Sequence, residues 1–358
     1  DQPGEVIFPV GRHRGIPYFM PPVGFNENSS LAKLIAVNEA NTDEINQIQS
    51  NSLATTSRVT ASFIYAHPPD YYGLPMLNAS VEAWKNVFRR FREMHIDTVI
   101  FQAALWRELG ECFYRSKHFS NLTCYGVLER MFAAAEEEKM QVFLGGYGSV
   151  AGWKKHFSEE ALLAELQNHR ACFEELCRIG KISGMYFPSE TAFEGQRLPE
   201  KEQRMRTLYR HFSDMVKSKD ADLKILVSPA TMHSPEQNAM FKDFWNAVLD
   251  SSNIDILLPQ DCIGNTCSKL SYMPEQWKAW KEITDAHQID LWCHLEIFER
   301  RGYRPDHNLY PATPERVAAQ INQTAPYVSR FCCWEALYFT SDEAGSEGKR
   351  LRQFLTQL

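Results

Sequence analysis

Short apolar runs, rich in β-branched and aromatic residues, alternate with longer amphipathic stretches along most of the chain. The eight runs are SFIYA (62–66), TVIFQ (98–102), VFLGG (142–146), GMYFPSE (184–190), KILVSP (224–229), DILLPQD (255–261), LWCHLE (291–296) and FCCWE (331–335). Their ends are about 30 to 45 residues apart, as expected for a strand, a crossover helix and two loops. The pattern therefore predicts an α/β fold in which eight parallel strands close into a (β/α)8 barrel.

The stretches between the runs have apolar residues at helical spacing. Two examples are the set Trp84, Val87, Phe88, Phe91 and Met94, and the set Leu162, Leu166, Phe173 and Leu176. Helix starts are predicted where a hydroxyl or a proline precedes an acidic residue, at Ser234-Pro235-Glu236-Gln237, Met273-Pro274-Glu275 and Thr313-Pro314-Glu315. A last helix, from about residue 347 to residue 358, is expected to close the barrel against the first.

A doubly wound fold is the main alternative, and it predicts a glycine-rich phosphate turn after an early strand. Neither GxGxxG nor GxxxxGK occurs, and the nearest sequence is Leu144-Gly145-Gly146-Tyr147-Gly148. We expect these glycines to form a loop that needs positive φ.

The chain has 358 residues, of which 44% are hydrophobic, so it can bury a large core. Residues 58–358 suffice for the catalytic barrel, and residues 1–57 are predicted to be an N-terminal extension packed on it.

Charge and apolar run length limit the partners that we expect. The net charge is −7 with both signs interspersed, which argues against nucleic acid. The apolar runs have strand length, so no membrane insertion is predicted. The chain starts at Asp1 and carries sequons at Asn28, Asn78, Asn121 and Asn322, which favours a secreted or periplasmic glycoprotein whose signal peptide has been removed. The pairs Cys112/Cys124 and Cys262/Cys267 either form disulfides or remain buried thiols.

The chemistry of a (β/α)8 barrel is found at the carboxyl ends of its strands. In this chain those ends carry many polar side chains: His67, Gln102, Tyr147, Glu190, Ser228, Gln260, Asp261, His294, Glu296, Trp334 and Glu335. Strand alternation places Trp292, His294 and Glu296 inside the barrel, with Leu291, Cys293 and Leu295 facing the helices. Alternation also sends one of Trp334 and Glu335 away from the cleft, and we favour Trp334 inside.

Two glutamates that face one cleft without cationic partners indicate a functional role, because burying a carboxylate is costly. Glycoside hydrolysis supplies one, since it uses one carboxyl group as an acid and another as a nucleophile or base. Glu190 and Glu296 are therefore the candidate catalytic residues. Each also has a structural interpretation, Glu190 as a loop cap and Glu296 in an ion-pair cluster with Glu299, Arg300 and Arg301.

These two positions resemble the catalytic pair of the clan A glycoside hydrolases. Those enzymes are TIM barrels with an acid/base glutamate at the end of strand 4 and a nucleophile glutamate at the end of strand 7. Trp334 resembles the tryptophan that lines their sugar subsite, and the motifs PSE, PQD and WE are similar to those of a family of secreted glycosidase-like barrels. The resemblance implies a retaining glycosidase that needs no cofactor or metal and acts on an oligo- or polysaccharide.

The chain departs from the clan at two positions. Ser189 stands where the clan has an asparagine that binds the sugar 2-hydroxyl, and Gln102 stands where it has an arginine, with Arg107 only on the following loop. A catalytically silent carbohydrate-binding barrel therefore remains an alternative. A second alternative is a metal-dependent isomerase or lyase with Glu190, Asp261, His294 and Glu296 as ligands, although a single histidine makes a weak site.

The remaining candidates would bind the sugar. We expect His294 to hold Glu296 or a sugar hydroxyl, Gln260 to contact the sugar, and Asp261 to contact it or to cap the loop to Cys267. Aromatic side chains on the loops at this end can stack on the apolar faces of sugar rings. They are Tyr71, Tyr72, Trp106, Tyr147, Trp153 and Tyr303.

Overall fold

A closed barrel of eight parallel strands forms the centre of the computed structural model, which describes residues 9–13, 16–19, 57–65, 76–107, 110–149, 151, 158–300 and 309–358. The barrel strands follow one another in chain order and the eighth pairs with the first. They are β1 (Val59–Ile64), β2 (Thr98–Phe101), β3 (Gln141–Gly145), β4 (Gly184–Phe187), β5 (Lys224–Val227), β6 (Ile256–Leu257), β7 (Asp290–Glu296) and β8 (Arg330–Trp334). The predicted fold class is confirmed.

Helices cover the outside of the barrel. They are α1 (Val81–Glu93), α2 (Val127–Glu137), α3 (Glu159–Leu176), α4 (Pro199–Lys219), α5 (Asn238–Leu249), α6 (Met273–His287), α7 (Pro314–Thr324), α8 (Ala336–Phe339) and α9 (Gly345–Gln357). The predicted start signals are confirmed: the Ser234 amide donates to the Gln237 side chain at 3.1 Å, and the Thr313 hydroxyl accepts from the Arg316 amide at 3.3 Å. Among the described residues, no helix combines the length and apolarity that crossing a bilayer requires.

The strands present alternate faces to two cores. Large side chains fill the barrel interior, among them Phe63, Phe143, Tyr186 and Trp292. Leu291, Cys293 and Leu295 lie instead in the layer between barrel and helices, as alternation predicts for β7.

Strands β4, β5 and β6 end earlier than predicted, because each meets a proline. Pro188, Pro229 and Pro259 lie one or two residues beyond the last paired residues, Phe187, Val227 and Leu257. A proline has no amide hydrogen for the ladder, so pairing stops there and continues only as isolated bridges such as Gln260 to His294. Strand β1 also differs from the prediction, beginning at Val59.

The prediction that Gly145, Gly146 and Gly148 need positive φ is wrong, because the described glycines with positive φ are Gly110, Gly195 and Gly345. At Gly145 and Gly148, glycine is needed instead because neighbouring atoms approach the backbone too closely for a side chain. A Cβ on Gly145 would lie 2.2 Å from the Gln102 carbonyl oxygen, and one on Gly148 would lie 2.8 Å from the Trp106 ring.

Short strands outside the barrel were not predicted. Four two-residue strands form a small sheet in the order Thr123–Cys124, Glu111–Cys112, Leu105–Trp106, Tyr147–Gly148, and Phe298–Arg300 pairs with Leu309–Pro311. In the N-terminal extension, Pro9–His13 pairs with Ile16–Phe19, and the rest of the extension lies outside the described residues. Its packing on the barrel stays a prediction.

All nine cysteines lie among the described residues and are free thiols, so neither predicted pair forms a disulfide in this structure. The sequon asparagines Asn78, Asn121 and Asn322 are exposed, and Asn28 lies outside the described residues. Secretion and glycosylation stay predictions.

Candidate active site

Glu190 lies three residues beyond β4, at the carboxyl end of the barrel, and is partly exposed. Burial raises the pKa of its carboxyl group to about 7, and a hydrogen bond from the Gln260 side chain opposes that rise. A carboxyl group with this pKa is about half protonated at neutral pH, so it can both give a proton to a leaving group and take one back.

Gln260 connects Glu190 to His294, the histidine that the sequence predicts to hold Glu296 or a sugar hydroxyl. Its amide nitrogen also donates to the Ser228 carbonyl oxygen at 3.2 Å, and the Ser228 hydroxyl lies 2.9 Å from His294 Nδ1. The His294 ring stacks on Phe63, with ring centroids 4.5 Å apart. Burial lowers the pKa of His294 to about 3, so the ring is neutral. Its Nε2 has no hydrogen-bond partner among the described residues.

Glu296 is the last residue of β7 and is 4% exposed. Asn265 donates to both of its carboxylate oxygens, from the main-chain nitrogen at 2.7 Å and from Nδ2 at 2.9 Å. Burial and the nearby carboxylate of Asp261 raise the pKa of Glu296, whereas the Asn265 amide, Arg316 and Arg300 oppose the rise.

Asp261 lies behind Glu296 and is fully buried. Its Oδ1 accepts from the amides of Ile263 at 3.1 Å and Glu296 at 3.4 Å, and its Oδ2 accepts from Gln320 Nε2 on α7 at 2.5 Å. With its oxygens engaged in this way, Asp261 caps the following loop and supports Glu296. This geometry fits the loop-capping alternative better than sugar contact.

The hydroxyl of Ser189 is turned away from the cleft. It lies 3.1 Å from the Ser149 hydroxyl, which donates to Glu165 Oε2 on α3 at 2.7 Å. Ser149, Glu165 and Ser189 are all at least 97% buried. The geometry therefore makes Ser189 part of a buried chain that leads outward to Glu165 on α3, and its role in sugar binding stays a prediction.

Trp334 and Gln102 form a partly exposed pair at the ends of β8 and β2. The indole nitrogen donates to Gln102 Oε1 at 3.1 Å, and the indole ring packs on Phe298 with centroids 5.1 Å apart. Glu335 is buried and accepts a hydrogen bond from the Tyr65 amide at 3.1 Å. Trp334 rather than Glu335 thus faces the barrel opening.

The predicted aromatic platforms are only partly described. Tyr147 is buried against Phe119 and His169, and its hydroxyl accepts from Asn168 at 3.2 Å, so it contributes to packing. Trp106 is partly exposed in the small sheet. The other candidates, His67, Tyr71, Tyr72, Trp153 and Tyr303, lie outside the described residues.

Sequence patterns missed the residues that contact Glu296 and Ser189. They are Asn265, Gln320 and Arg316 around Glu296, and Ser149 and Glu165 behind Ser189. They lie on loops and helices, where strand alternation gives no signal. In the described part of the chain, no three His, Cys, Asp or Glu side chains group as a metal site. Glu190, Asp261, His294 and Glu296 accordingly do not converge on one point as metal ligands would.

Comparison with known proteins gives a family and a fold. A family model described as "Domain of unknown function (DUF4434)" matches residues 74–343. A comparison with curated proteins found no sequence match. Similar solved structures include a Bacteroides thetaiotaomicron protein proposed to be an alpha-L-fucosidase, with 17% identity, a TM-score of 0.66 and coverage of 84% of this chain and 95% of that one.

Two further solved structures are similar. A GH113 beta-1,4-mannanase has 12% identity and a TM-score of 0.53, with coverage of 85% of this chain and 98% of that one. The PgaB (BpsB) glycoside hydrolase domain from Bordetella bronchiseptica has 11% identity and a TM-score of 0.53, with coverage of 84% and 99%. The fold is therefore that of a glycoside-hydrolase-like TIM barrel.

Proposed function

The chain belongs to the DUF4434 family, and we propose that it is a retaining glycoside hydrolase that acts on an oligo- or polysaccharide. The observation that carries the proposal is the pair of carboxyl groups at the ends of β4 and β7, at the end of the barrel where such folds bind substrate. Glycoside hydrolysis needs two such groups in different roles.

The two environments support a division of roles. Glu190 is partly exposed and its raised pKa lets it protonate the leaving oxygen, so it is the acid/base. We assign Glu296, at the end of β7, as the nucleophile that attacks the anomeric carbon: burial and Asp261 raise its pKa, and the two hydrogen bonds from Asn265, with Arg316 and Arg300, favour its ionised form against that rise. Water then hydrolyses the glycosyl-enzyme intermediate, with Glu190 acting as the base.

Neutral groups around the pair are suited to sugar hydroxyls. The partly exposed side chain of Gln260 is polar without carrying a charge, and the partly exposed Trp334 offers a flat apolar face.

The test is a screen of the full chain against aryl glycosides and oligosaccharides, with the anomer of the first product identified by NMR. We expect turnover with retained configuration. Glu190→Gln and Glu296→Gln should each lose on the order of 10²- to 10⁴-fold in kcat/KM, and the loss in Glu190→Gln should be smaller for substrates with good leaving groups. Glu275→Gln, an exposed position on α6, is the matched control. Full hydrolysis by Glu296→Gln would refute the assignment.

A catalytically silent carbohydrate-binding barrel is the second candidate. It is favoured by two observations: the Ser189 hydroxyl is bonded to Ser149, and Gln102 is bonded to Trp334 where clan A has an arginine. Glycan binding that is equal in the wild type and Glu190→Gln, with no turnover by either, would select it.

A further inference from the structure

The loop from Asp261 to Ser268, between β6 and α6, contacts the carboxylate of Glu296 through one residue. Asn265 donates to Glu296 Oε2 from its main-chain nitrogen at 2.7 Å and to Oε1 from Nδ2 at 2.9 Å. Two donors from one residue on the two oxygens of a carboxylate fix both its position and its rotation. We infer that Asn265 is a positioning residue for Glu296, an inference that rests on the proposed role of Glu296 as the nucleophile.

The side-chain amide of Asn265 is itself oriented. Its Oδ1 accepts from the Cys267 amide at 2.9 Å, which leaves Nδ2 as the atom that faces Glu296. The Cys262 carbonyl oxygen accepts from the amides of Cys267 at 3.0 Å and Ser268 at 2.9 Å, so the loop closes on itself. The donor is therefore held in place before any substrate binds.

The loop is also tied to the chain that follows β7. The Gly264 carbonyl oxygen accepts from the Arg300 amide at 3.1 Å, and a Cβ on Gly264 would lie 2.9 Å from Glu296 Cβ. Backbone this close to Glu296 leaves the glutamate little freedom to turn away from Asn265. The contact is thus a property of the folded barrel end and not of one flexible side chain.

The charged and titratable groups around Glu296 shift its pKa in both directions. Asp261, on the same loop, raises the pKa of Glu296, whereas Arg316 on α7 and Arg300 after β7 lower it. The thiols of Cys262 and Cys267 also interact electrostatically with Glu296, and burial raises the pKa of both, so they are neutral. Asn265 favours the ionised form without adding a charge, which is the form that a nucleophile needs.

The experiment measures the ionisation of Glu296 directly. The full chain is labelled with ¹³C at its glutamate carboxyl groups and titrated by NMR, and the Glu296 signal is assigned by its loss in Glu296→Gln. In Asn265→Ala we expect the pKa of Glu296 to rise by about one pH unit. In Asn265→Asp we expect a rise of about two or more, because two adjacent carboxylates cannot both ionise. Asn86→Ala, an exposed position on α1, is the matched control and should leave the signal unchanged.

The activity of the same variants separates this inference from the proposed function. The acidic limb of kcat/KM against pH should move to higher pH in the order wild type, Asn265→Ala, Asn265→Asp. An unchanged Glu296 titration in Asn265→Ala would overturn the role of Asn265 even if the wild type hydrolyses glycosides. If the Glu296 pKa shifts in Asn265→Ala but the Glu296→Gln variant is fully active, the role of Glu296 as the nucleophile is overturned instead. If Asn265→Ala does not fold, Asn265→Ser carries the test, because it removes Nδ2 without adding a charge.

Discussion

Gly264 lies so close to Glu296 that this position has no room for a side chain. A Cβ would lie 2.3 Å from the Phe298 carbonyl oxygen and 3.1 Å from Glu296 Oε2. The carbonyl oxygen belongs to a paired strand and cannot move away at low cost. Gly264→Ala should therefore destabilise the chain by about 1–3 kcal/mol and displace Glu296.

Chemical denaturation and kcat/KM measure the two effects. Gly146→Ala, also at the barrel opening, is the matched control, because a Cβ there meets only the flexible end of Met185 at 3.4 Å. Equal stability and activity of the two variants would contradict the packing argument.

Single residues differ in how far the sequence predicts them. Strand alternation correctly placed Trp292 inside the barrel and Leu291 outside it, because the side-chain period of a strand is fixed. Asn265 could not be found in this way. Its loop depends on Cys262 and Thr266, which have φ values of 57° and 66°, a left-handed conformation that neither residue type signals in a sequence.

At the scale of elements, the spacing of apolar runs predicted eight strands because each βα unit needs a similar length of chain. The strand ends were harder to predict, and Pro188, Pro229 and Pro259 were the available signal. The small sheet that contains Trp106 could not be predicted, because two-residue strands are too short to show a period.

The buried Glu165–Ser149–Ser189 chain of hydrogen bonds joins helix α3 to the segments that follow β3 and β4. Ser149→Ala removes the middle hydroxyl, so Glu165 and Ser189 each lose a hydrogen bond in a site that water does not reach. We expect a loss of about 1–3 kcal/mol in the free energy of unfolding, measured with urea.

Ser213 on α4 provides the matched control for this prediction. It is fully buried, and its hydroxyl has no hydrogen-bond partner among the described residues. Ser213→Ala should be nearly neutral because it removes no bond. The interpretation fails if Ser213→Ala costs as much as Ser149→Ala.

At the scale of the whole molecule, the shifted pKa values of glutamates and histidines change stability with pH in opposite directions. Burial raises the pKa of Glu190 to about 7 and that of Glu335 to about 8, from an ordinary 4.5. Burial lowers the pKa of His169 and His294 to about 3 and that of His233 to about 4, from an ordinary 6.5. All five groups therefore favour the neutral form in the folded state.

The signs of these shifts predict a stability maximum at mildly acidic pH. The glutamates contribute stability that is present below about pH 4.5 and lost as pH rises through about 7 to 8. The histidines contribute stability that is present above about pH 6.5 and lost as pH falls through about 3 to 4. The free energy of unfolding, measured by urea titration from pH 4 to pH 9, should be largest between about pH 4.5 and 6.5. A maximum above about pH 8 would contradict these shifts.

Glu335 isolates the alkaline side of this balance, because its hydrogen-bond donors include the main-chain amides of Tyr65 and Tyr338, from which a glutamine oxygen can also accept. At pH 4 the carboxyl group is neutral, so Glu335→Gln should have the stability of the wild type. At pH 9 the wild type must hold a buried carboxylate and the variant need not, so the variant should be more stable by about 2–4 kcal/mol. Glu275→Gln, whose side chain is exposed, should show no such dependence on pH. A Glu335→Gln variant that follows the wild type at every pH would show that Glu335 titrates like a solvated glutamate.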